Sequence, residues 1–189
     1  MKGMLKLGIV LALYATAACV GLAFVYEGTK KPIEQGAAKA LDEALKELFP
    51  DADNFKEITG TIASSEQNVT FETQYAAQKG DDIVGAALEA SGPSYGGPIK
   101  ILVGIGGDGK ITRIKILEHS DTPGLGANAT KESFSGQFTK KAVTDPFEAK
   151  NDVAAITAST VTTRAVANVV KIAGQAGSAW LGTQTGGTR

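Results

Sequence analysis

The sequence contains one cysteine, Cys19, and one histidine, His119, in 189 residues. A single cysteine excludes a disulfide within the chain and leaves both oxidising and reducing compartments open. A single histidine excludes a histidine-rich metal cluster, and the two counts together exclude a zinc site built from two cysteines and a histidine. Metal chemistry on sulfur and imidazole ligands is therefore not the function that this sequence predicts.

The sequence also lacks an excess of positive charge. There are 19 Lys and Arg residues against 20 Asp and Glu residues, which gives a formal net charge of −1. No run of basic residues forms a phosphate-binding stripe, so nucleic acid is excluded as an expected partner. The length suits one compact domain with an additional segment better than two domains.

One long stretch without charge is present near the N-terminus, the 20 residues from Leu7 to Tyr26. As a helix this stretch would extend for about 30 Å, the thickness of the hydrocarbon core of a bilayer. The interpretations are a retained transmembrane helix, a signal peptide cleaved after small residues at Thr16–Ala18, or a lipoprotein anchored through Cys19. The apolar run continues to Val25, beyond the small residues, so a retained single span is predicted.

The charges around this span predict its orientation. Lys2 and Lys6 precede it, and the positive-inside rule then places the N-terminus in the cytoplasm and the rest of the chain on the extracytoplasmic side of the inner membrane. That remaining part has 17 basic residues, which are the 19 of the whole chain less Lys2 and Lys6, against 20 acidic residues. An anionic lipid surface is therefore not a predicted partner.

Periodic patterns predict three helices after the span. Apolar residues at a 3.6-residue spacing predict a helix over Pro32–Phe49, with the proline in its first turn and Pro50 as its stop. A short helix is predicted over Glu132–Lys141 and a longer one over Thr162–Trp180. The Gly/Thr-rich segment Gly182–Arg189 is predicted to be a loose tail.

Strand patterns fill the region between these helices. Alternating apolar and polar residues predict strands within Phe55–Ala90, and Ser91–Pro98 has the composition of a loop. Two apolar strands are predicted over Ile99–Ile105 and Ile111–Leu117, joined by a hairpin turn at Gly106–Gly109. The sequence therefore predicts an α+β fold, with a transmembrane helix followed by one domain that has a largely antiparallel sheet flanked by helices.

A cluster of hydroxyl residues comes directly before the last predicted helix. Its five members, within seven positions, are Thr157, Ser159, Thr160, Thr162 and Thr163. One interpretation is a helix N-cap, because Ser and Thr oxygens accept free backbone N–H groups there. The other is an anion site, because free N–H groups and the helix dipole favour a phosphate at a helix start. One cap needs one hydroxyl, and the pattern alone leaves both interpretations open.

The segment Ile156–Val166 resembles the flavinylation motif of the FMN-binding domain family shared by the G subunit of the Rnf complex and the C subunit of the sodium-pumping quinone reductase. The family pattern is Ile-Ser-Gly-Ala-Thr-x-Thr-Ser-x-Ala-Val. Identical positions are Ile156, Thr160, Thr162, Ala165 and Val166, and Ser/Thr exchanges are Thr157 and Thr163. The resemblance implies that FMN is bound covalently through its phosphate to Thr160, by a separate flavin transferase that takes it from FAD.

Two positions of the motif depart from the family pattern. Ala158 stands where the family usually has Gly, and it would hinder a turn that needs a positive φ. Ser159 stands where the family has Ala, so a second hydroxyl lies next to Thr160. The matching residues downstream of Thr160 fix the register and keep it as the predicted acceptor.

Two further segments carry the resemblance. Ser94–Ile99 is similar to the family's Gly-Tyr-Gly-Gly-x-Ile entry into a strand, and Glu118–Gly126 is similar to its Glu-His-x-Glu-Thr-Pro-Gly-Leu-Gly turn, with Asp121 in place of Glu. The resemblance implies that the turn approaches the flat flavin ring. Besides Thr160, the expected cofactor-binding residues are Thr157, Ser159, Thr162, Thr163, Thr122, Gly124, Leu125 and Tyr95.

The resemblance implies a membrane-anchored electron-transfer subunit of an Rnf-type ion-translocating ferredoxin:NAD oxidoreductase complex, not catalytic alone, with other membrane subunits as partners. The expected boundaries are 1–26 for a cytoplasmic stub and the span, 27–50 for a connecting helix, 51–181 for the FMN-binding domain and 182–189 for the tail. Alternatives are the C-type quinone reductase subunit, disfavoured by the short length, and an anchored scaffold module without a cofactor.

Overall fold

The computed structural model of the chain describes residues 2–185 and divides into two units between Asp42 and Glu43. The first helix, α1, covers Lys2–Leu48. Its residues from Glu43 onward therefore belong to the second unit.

The N-terminal unit is the part of α1 before Glu43. Its most apolar window has a mean hydropathy of 2.2 and none of that window is buried. Among the described residues this is the one helix that is long and apolar enough to cross a membrane, and the predicted span lies within it. The predicted helix start at Pro32 is wrong, because Pro32 lies inside α1. An interior proline removes only one backbone hydrogen bond. The Lys, Ala and Glu residues before and after Pro32 favour a helix, so the helix continues through it.

The second unit contains a five-stranded antiparallel sheet in which each strand pairs with the next along the chain. The strands are β1 Asn54–Glu57, β2 Thr70–Lys79, β3 Asp82–Pro93, β4 Pro98–Gly106 and β5 Ile111–His119. The predicted α+β class with an antiparallel sheet is confirmed.

The sequence predicted the β4–β5 connection better than the β3–β4 connection. The turn between β4 and β5 is confirmed, with the Gly109 N–H donating to the Gly106 carbonyl at 3.0 Å and Gly109 at φ 73°. The loop predicted over Ser91–Pro98 is wrong at both ends, because Pro93 and Pro98 face each other in the β3–β4 register. Proline is tolerated at strand ends, where its missing N–H costs no inner ladder bond.

The sheet is covered on both faces within the second unit. The third α-helix, α3, covers Thr160–Thr185 and packs on one face. The buried core there includes Leu88, Ile101, Val103, Ile105, Val166, Val169, Val170 and Ala173. On the other face, the buried end of α1 lies over Gly104, since a Cβ on Gly104 would lie 3.0 Å from Leu48 Cδ2. Burial of these apolar side chains supplies the main driving force for folding of this unit.

The helices after β5 depart from the predicted bounds. The short helix predicted over Glu132–Lys141 is divided into a helix over Glu132–Ser135, α2, and a 3-10 turn over Gly136–Phe138. Lys140 at φ 66° cannot continue a right-handed helix. α3 begins two residues before the predicted start and continues through Gly182–Thr185, which we expected to be loose. The rest of the predicted tail, 186–189, lies outside the described residues.

Candidate functional site

The start of α3 presents free backbone donors. Thr160 is its first residue and Ser159 precedes it. The Thr163 N–H already donates to the Ser159 carbonyl at 3.1 Å. Helix geometry leaves the N–H groups of Thr160, Val161 and Thr162 without an intrahelical acceptor, and the helix dipole adds partial positive charge at the same place.

A tight turn leads into α3. The Ser159 N–H donates to the Ile156 carbonyl at 3.0 Å, and Ala158 takes φ 59° between them. The turn therefore does use a positive φ at the position where the family pattern has glycine. An alanine there is held in a conformation about 1–2 kcal/mol less favourable than the right-handed one.

Ala158→Gly is expected to stabilise the protein. Relief of the left-handed strain outweighs the extra entropy of glycine in the unfolded chain, about 0.5–1 kcal/mol. The net gain should be about 0.5–1 kcal/mol, which raises the melting temperature of a chain of this size by about 1–4 °C. Thermal unfolding of the full-length protein in detergent measures it. An unchanged or lower melting temperature would contradict the strain assigned to Ala158.

The five hydroxyls of the motif have different structural roles. Thr163 is fully buried, accepts the Ile156 N–H at 3.0 Å and donates to the Ser159 carbonyl at 3.1 Å. The Ser159 hydroxyl donates to Thr162 Oγ1 at 2.9 Å, and both residues are buried. Thr157 is exposed, whereas Thr160 is half-buried. Within residues 2–185, neither the Thr157 nor the Thr160 hydroxyl makes a hydrogen bond, and Thr160 is the one of these two that lies at the helix start.

Asp121 ties the three motif segments together. Its carboxylate accepts the Ser94 hydroxyl at 2.9 Å, the Gly96 N–H at 2.6 Å and the Thr162 hydroxyl. Only 5% of Asp121 is exposed. Burial opposes its ionisation, but these donors and the nearby His119 together hold the pKa of the carboxyl below its ordinary value. Asp121 was not among the predicted site residues, and the sequence signalled it only as the acidic residue before Thr-Pro-Gly.

The close approach around Asp121 requires glycine at one position. A Cβ on Gly96 would collide with the Ser120 carbonyl oxygen and lie 2.9 Å from Asp121 Cα. The chain after β3 can therefore lie directly on the turn after β5 only with glycine there. This contact positions Tyr95 beside α3.

A cleft of about 410 Å³ opens where these segments meet. Its lining residues are Tyr95, Asp121, Thr122, Leu125, Gly126, Ala158, Ser159, Thr160, Val161 and Thr162. The volume is within the range of about 300–1,000 Å³ that is usual for ligand pockets. Tyr95, Leu125 and Val161 are 75%, 42% and 52% exposed, so apolar surface lies open beside the polar helix start.

The structure brings most, but not all, of the predicted site residues to this cleft. Thr157 and Gly124 instead line a neighbouring groove of about 490 Å³, which shares Leu125 and Ala158 with the cleft. Thr163 lies inside the turn that supports α3. Lining residues that sequence reasoning missed are Val161, Gly126, Ala158 and Asp121. Val161 occupies the variable position of the motif, which gave no signal.

Comparisons with known proteins agree with this arrangement. Residues 94–175 match the FMN-binding domain, and residues 1–48 match the RnfG N-terminal region. The first match covers all three segments that line the cleft, and the second covers α1. A match to the N-terminal region of the Rnf protein favours that complex over the quinone reductase.

Several relatives share most of the chain. The G subunit of the proton-translocating ferredoxin:NAD(+) oxidoreductase complex of Clostridium ljungdahlii is 36% identical over 156 residues, 79% of this chain and 78% of that protein. The G subunit of the ion-translocating oxidoreductase complex of Methanosarcina acetivorans is 30% identical over 89% of this chain and 92% of its own length. The Na(+)-translocating counterpart of Acetobacterium woodii is 30% identical, with 90% of both chains covered. The chain therefore belongs to the family of G subunits of Rnf-type ion-translocating oxidoreductase complexes.

Proposed function

We propose that this chain is the electron-carrying subunit of an Rnf-type ion-translocating ferredoxin:NAD oxidoreductase complex, with FMN joined through its phosphate to Thr160. The observation that carries the proposal is the unbonded Thr160 hydroxyl, half-buried at a helix start and lining the cleft. The other motif hydroxyls at the helix start are buried and hydrogen-bonded. Thr160 is therefore the acceptor best suited to receive a phosphoryl group.

The donor set of the cleft fits FMN. A phosphate ester on Thr160 Oγ1 would lie at the free N–H groups of the first turn of α3, where the helix dipole stabilises negative charge. The exposed apolar side chains of Tyr95, Leu125 and Val161 offer contacts to a flat aromatic ring. Bound FMN would supply the redox chemistry, which the protein itself lacks.

The chain's own residues bind and position the cofactor. Thr160 keeps it from diffusing away. Asp121 holds the turn after β5 against the start of α3 through its bonds to Ser94, Gly96 and Thr162. Because nothing in the cleft is required to move a proton, we expect no catalytic activity from the chain alone.

Attachment requires a second protein in this proposal. A flavin transferase would form the bond between Thr160 Oγ1 and the flavin-bearing phosphorus of FAD. The phosphoanhydride bond of FAD would break, AMP would leave, and the hydroxyl proton would pass to a base of the transferase or to water. The other membrane subunits of the complex would be the partners in electron transfer.

The membrane helix supports the cellular placement in this proposal. With Lys2 and Lys6 on the cytoplasmic side of the inner membrane, the second unit would lie on the extracytoplasmic side. Tethering to the membrane would raise the effective concentration of the FMN-bearing domain beside its partners. No charged residue lies between Leu7 and Tyr26, so the span itself is not expected to conduct the coupled ion.

Covalent flavin on a denatured chain tests the proposal. The full-length chain is expressed with and without a flavin transferase, denatured, separated on a gel and viewed under ultraviolet light. We expect a fluorescent band only with the transferase, and an intact mass increased by one FMN less one water. A dark band, with the transferase active on a control substrate, would leave the scaffold interpretation instead.

A further inference from the structure

A second concave surface lies on α3, outside the FMN cleft. Arg164, Asn168 and Lys171 are spaced by four and three residues, so they share one face of the helix. With the segment Pro146–Ala149 they line a groove of about 520 Å³. We call this surface the α3 groove. Thr160, four residues before Arg164, lies on the same helical face.

The α3 groove carries uncompensated positive charge. Within the described part of the chain, neither Arg164 nor Lys171 makes an ion pair. The acidic lining residue is Glu148, which is exposed and accepts a hydrogen bond from Asn151. Two cations against one carboxylate make the groove basic, although acidic residues outnumber basic ones in the chain after the span. A basic groove on an acidic domain favours an anionic occupant.

The wall of the α3 groove is held in a fixed shape. Phe147 and Lys150 take φ 53° and 71°, which L residues rarely adopt. Asp152 holds this segment, because its carboxylate accepts the N–H groups of Phe147 at 3.1 Å and Glu148 at 2.6 Å and pairs with Lys141 at 3.1 Å. Strained backbone of this kind persists where the surroundings enforce it. The groove therefore exists before any partner binds.

We infer that the α3 groove is the docking site for an acidic, extended segment of another subunit of the same complex. The inference rests on the proposed function, and charge complementarity carries it. Arg164 and Lys171 are seven residues apart, about 10 Å along the helix axis, so the groove follows the helix for about two turns. An extended chain covers that distance in about three residues and can present a carboxylate to each cation.

The groove between the two cations also favours a peptide. Asn168 makes no hydrogen bond within residues 2–185, and its amide can both donate to and accept from a main-chain amide group. Pro146 and Ala149 add apolar surface beside it. A partner bound here lies along the helical face that begins with Thr160, so docking would bring a redox partner close to the FMN-bearing residue. Weak, charge-steered interfaces are typical of electron-transfer partners.

Charge reversal in the assembled complex tests the inference. The FMN-loaded complex is purified through a tag on this chain, and the other subunits retained are quantified at low and high salt. The double variant Arg164→Glu/Lys171→Glu is expected to retain about tenfold less of them at low salt. The milder Arg164→Gln/Lys171→Gln should show an intermediate loss. The control, Lys56→Glu/Lys79→Glu, makes the same charge change at two exposed strand lysines that form no ion pair with any described residue, and it should behave as the native chain.

The flavin fluorescence of the purified chain, measured on a denaturing gel, separates this inference from the proposed function. A native chain without covalent flavin contradicts the proposed function, whereas full retention of the other subunits by the flavin-loaded Gln variant overturns the α3 groove as a docking site. Inorganic phosphate and phosphatidylglycerol vesicles are tested alongside. A different result would also overturn the inference. In that result, the native chain binds phosphate or the vesicles, the Glu variant binds neither, and all variants retain the other subunits equally. The groove would then take a small anion or a lipid headgroup.

Discussion

Thr160→Ala is expected to carry no covalent flavin when it is expressed with a flavin transferase. The Thr160 hydroxyl lines the cleft without a hydrogen-bond partner in the described structure, so nothing competes with its use as a phosphoryl acceptor. Alanine favours a helix at this position at least as well as threonine. The loss of fluorescence should therefore come without a loss of stability, and a thermal melt of the same sample checks this.

Two variants serve as controls for the acceptor. Thr160→Ser keeps a hydroxyl and is expected to retain flavin. Ser159→Ala removes the neighbouring hydroxyl, which is buried and bonded to Thr162. It should lower stability by about 1 kcal/mol, because a buried hydrogen bond is lost, while its fluorescent band persists. A band that persists in Thr160→Ala and disappears in Ser159→Ala would make Ser159 the acceptor.

Asp121→Ala is expected to destabilise the second unit by about 3–5 kcal/mol, because three donors would lose their acceptor in a buried place. These are the Ser94 hydroxyl, the Gly96 N–H and the Thr162 hydroxyl. The same change should open the cleft, so flavin attachment should fall as well. Thermal unfolding of the full-length chain in detergent gives the stability, and the fluorescent gel gives the flavin content.

The pH dependence distinguishes the charge of Asp121 from its shape. Its folded pKa lies below its unfolded value, which is about 3.9. Its stabilising effect is therefore complete above that pH and is lost as the pH falls through the folded pKa. Asp121→Asn, which keeps the shape, should be less stable than the native chain by a constant amount from neutral pH to about pH 5. That difference should shrink in stronger acid. A difference independent of pH would contradict an ionised Asp121.

Local patterns predicted those elements whose formation depends on nearby residues. The antiparallel strands, the hairpin at Gly106–Gly109 and the apolar α1 follow from alternation, glycine placement and a long run without charge. Element ends were predicted less well. β3 and β4 continue to Pro93 and Pro98 because the opposed strands pair across them. α3 continues past Trp180, as Leu181 is buried against the core.

The sequence by itself determined the kind of protein. A 20-residue run without charge predicts a membrane span, and the segment Ile156–Val166 resembles the motif of a known family through residues that are neighbours along the chain. Such features depend on composition and on neighbours along the chain, so folding is not needed to recognise them.

Only the tertiary structure decided which hydroxyl is available and what holds the site together. The motif hydroxyls are chemically similar in sequence, yet burial and hydrogen bonds engage Ser159, Thr162 and Thr163 and leave Thr160 at the cleft. Asp121 bonds residues 25 to 41 positions away along the chain, namely Gly96, Ser94 and Thr162. Contacts between residues so distant in sequence exist only once the sheet has brought them together, and local patterns do not encode them.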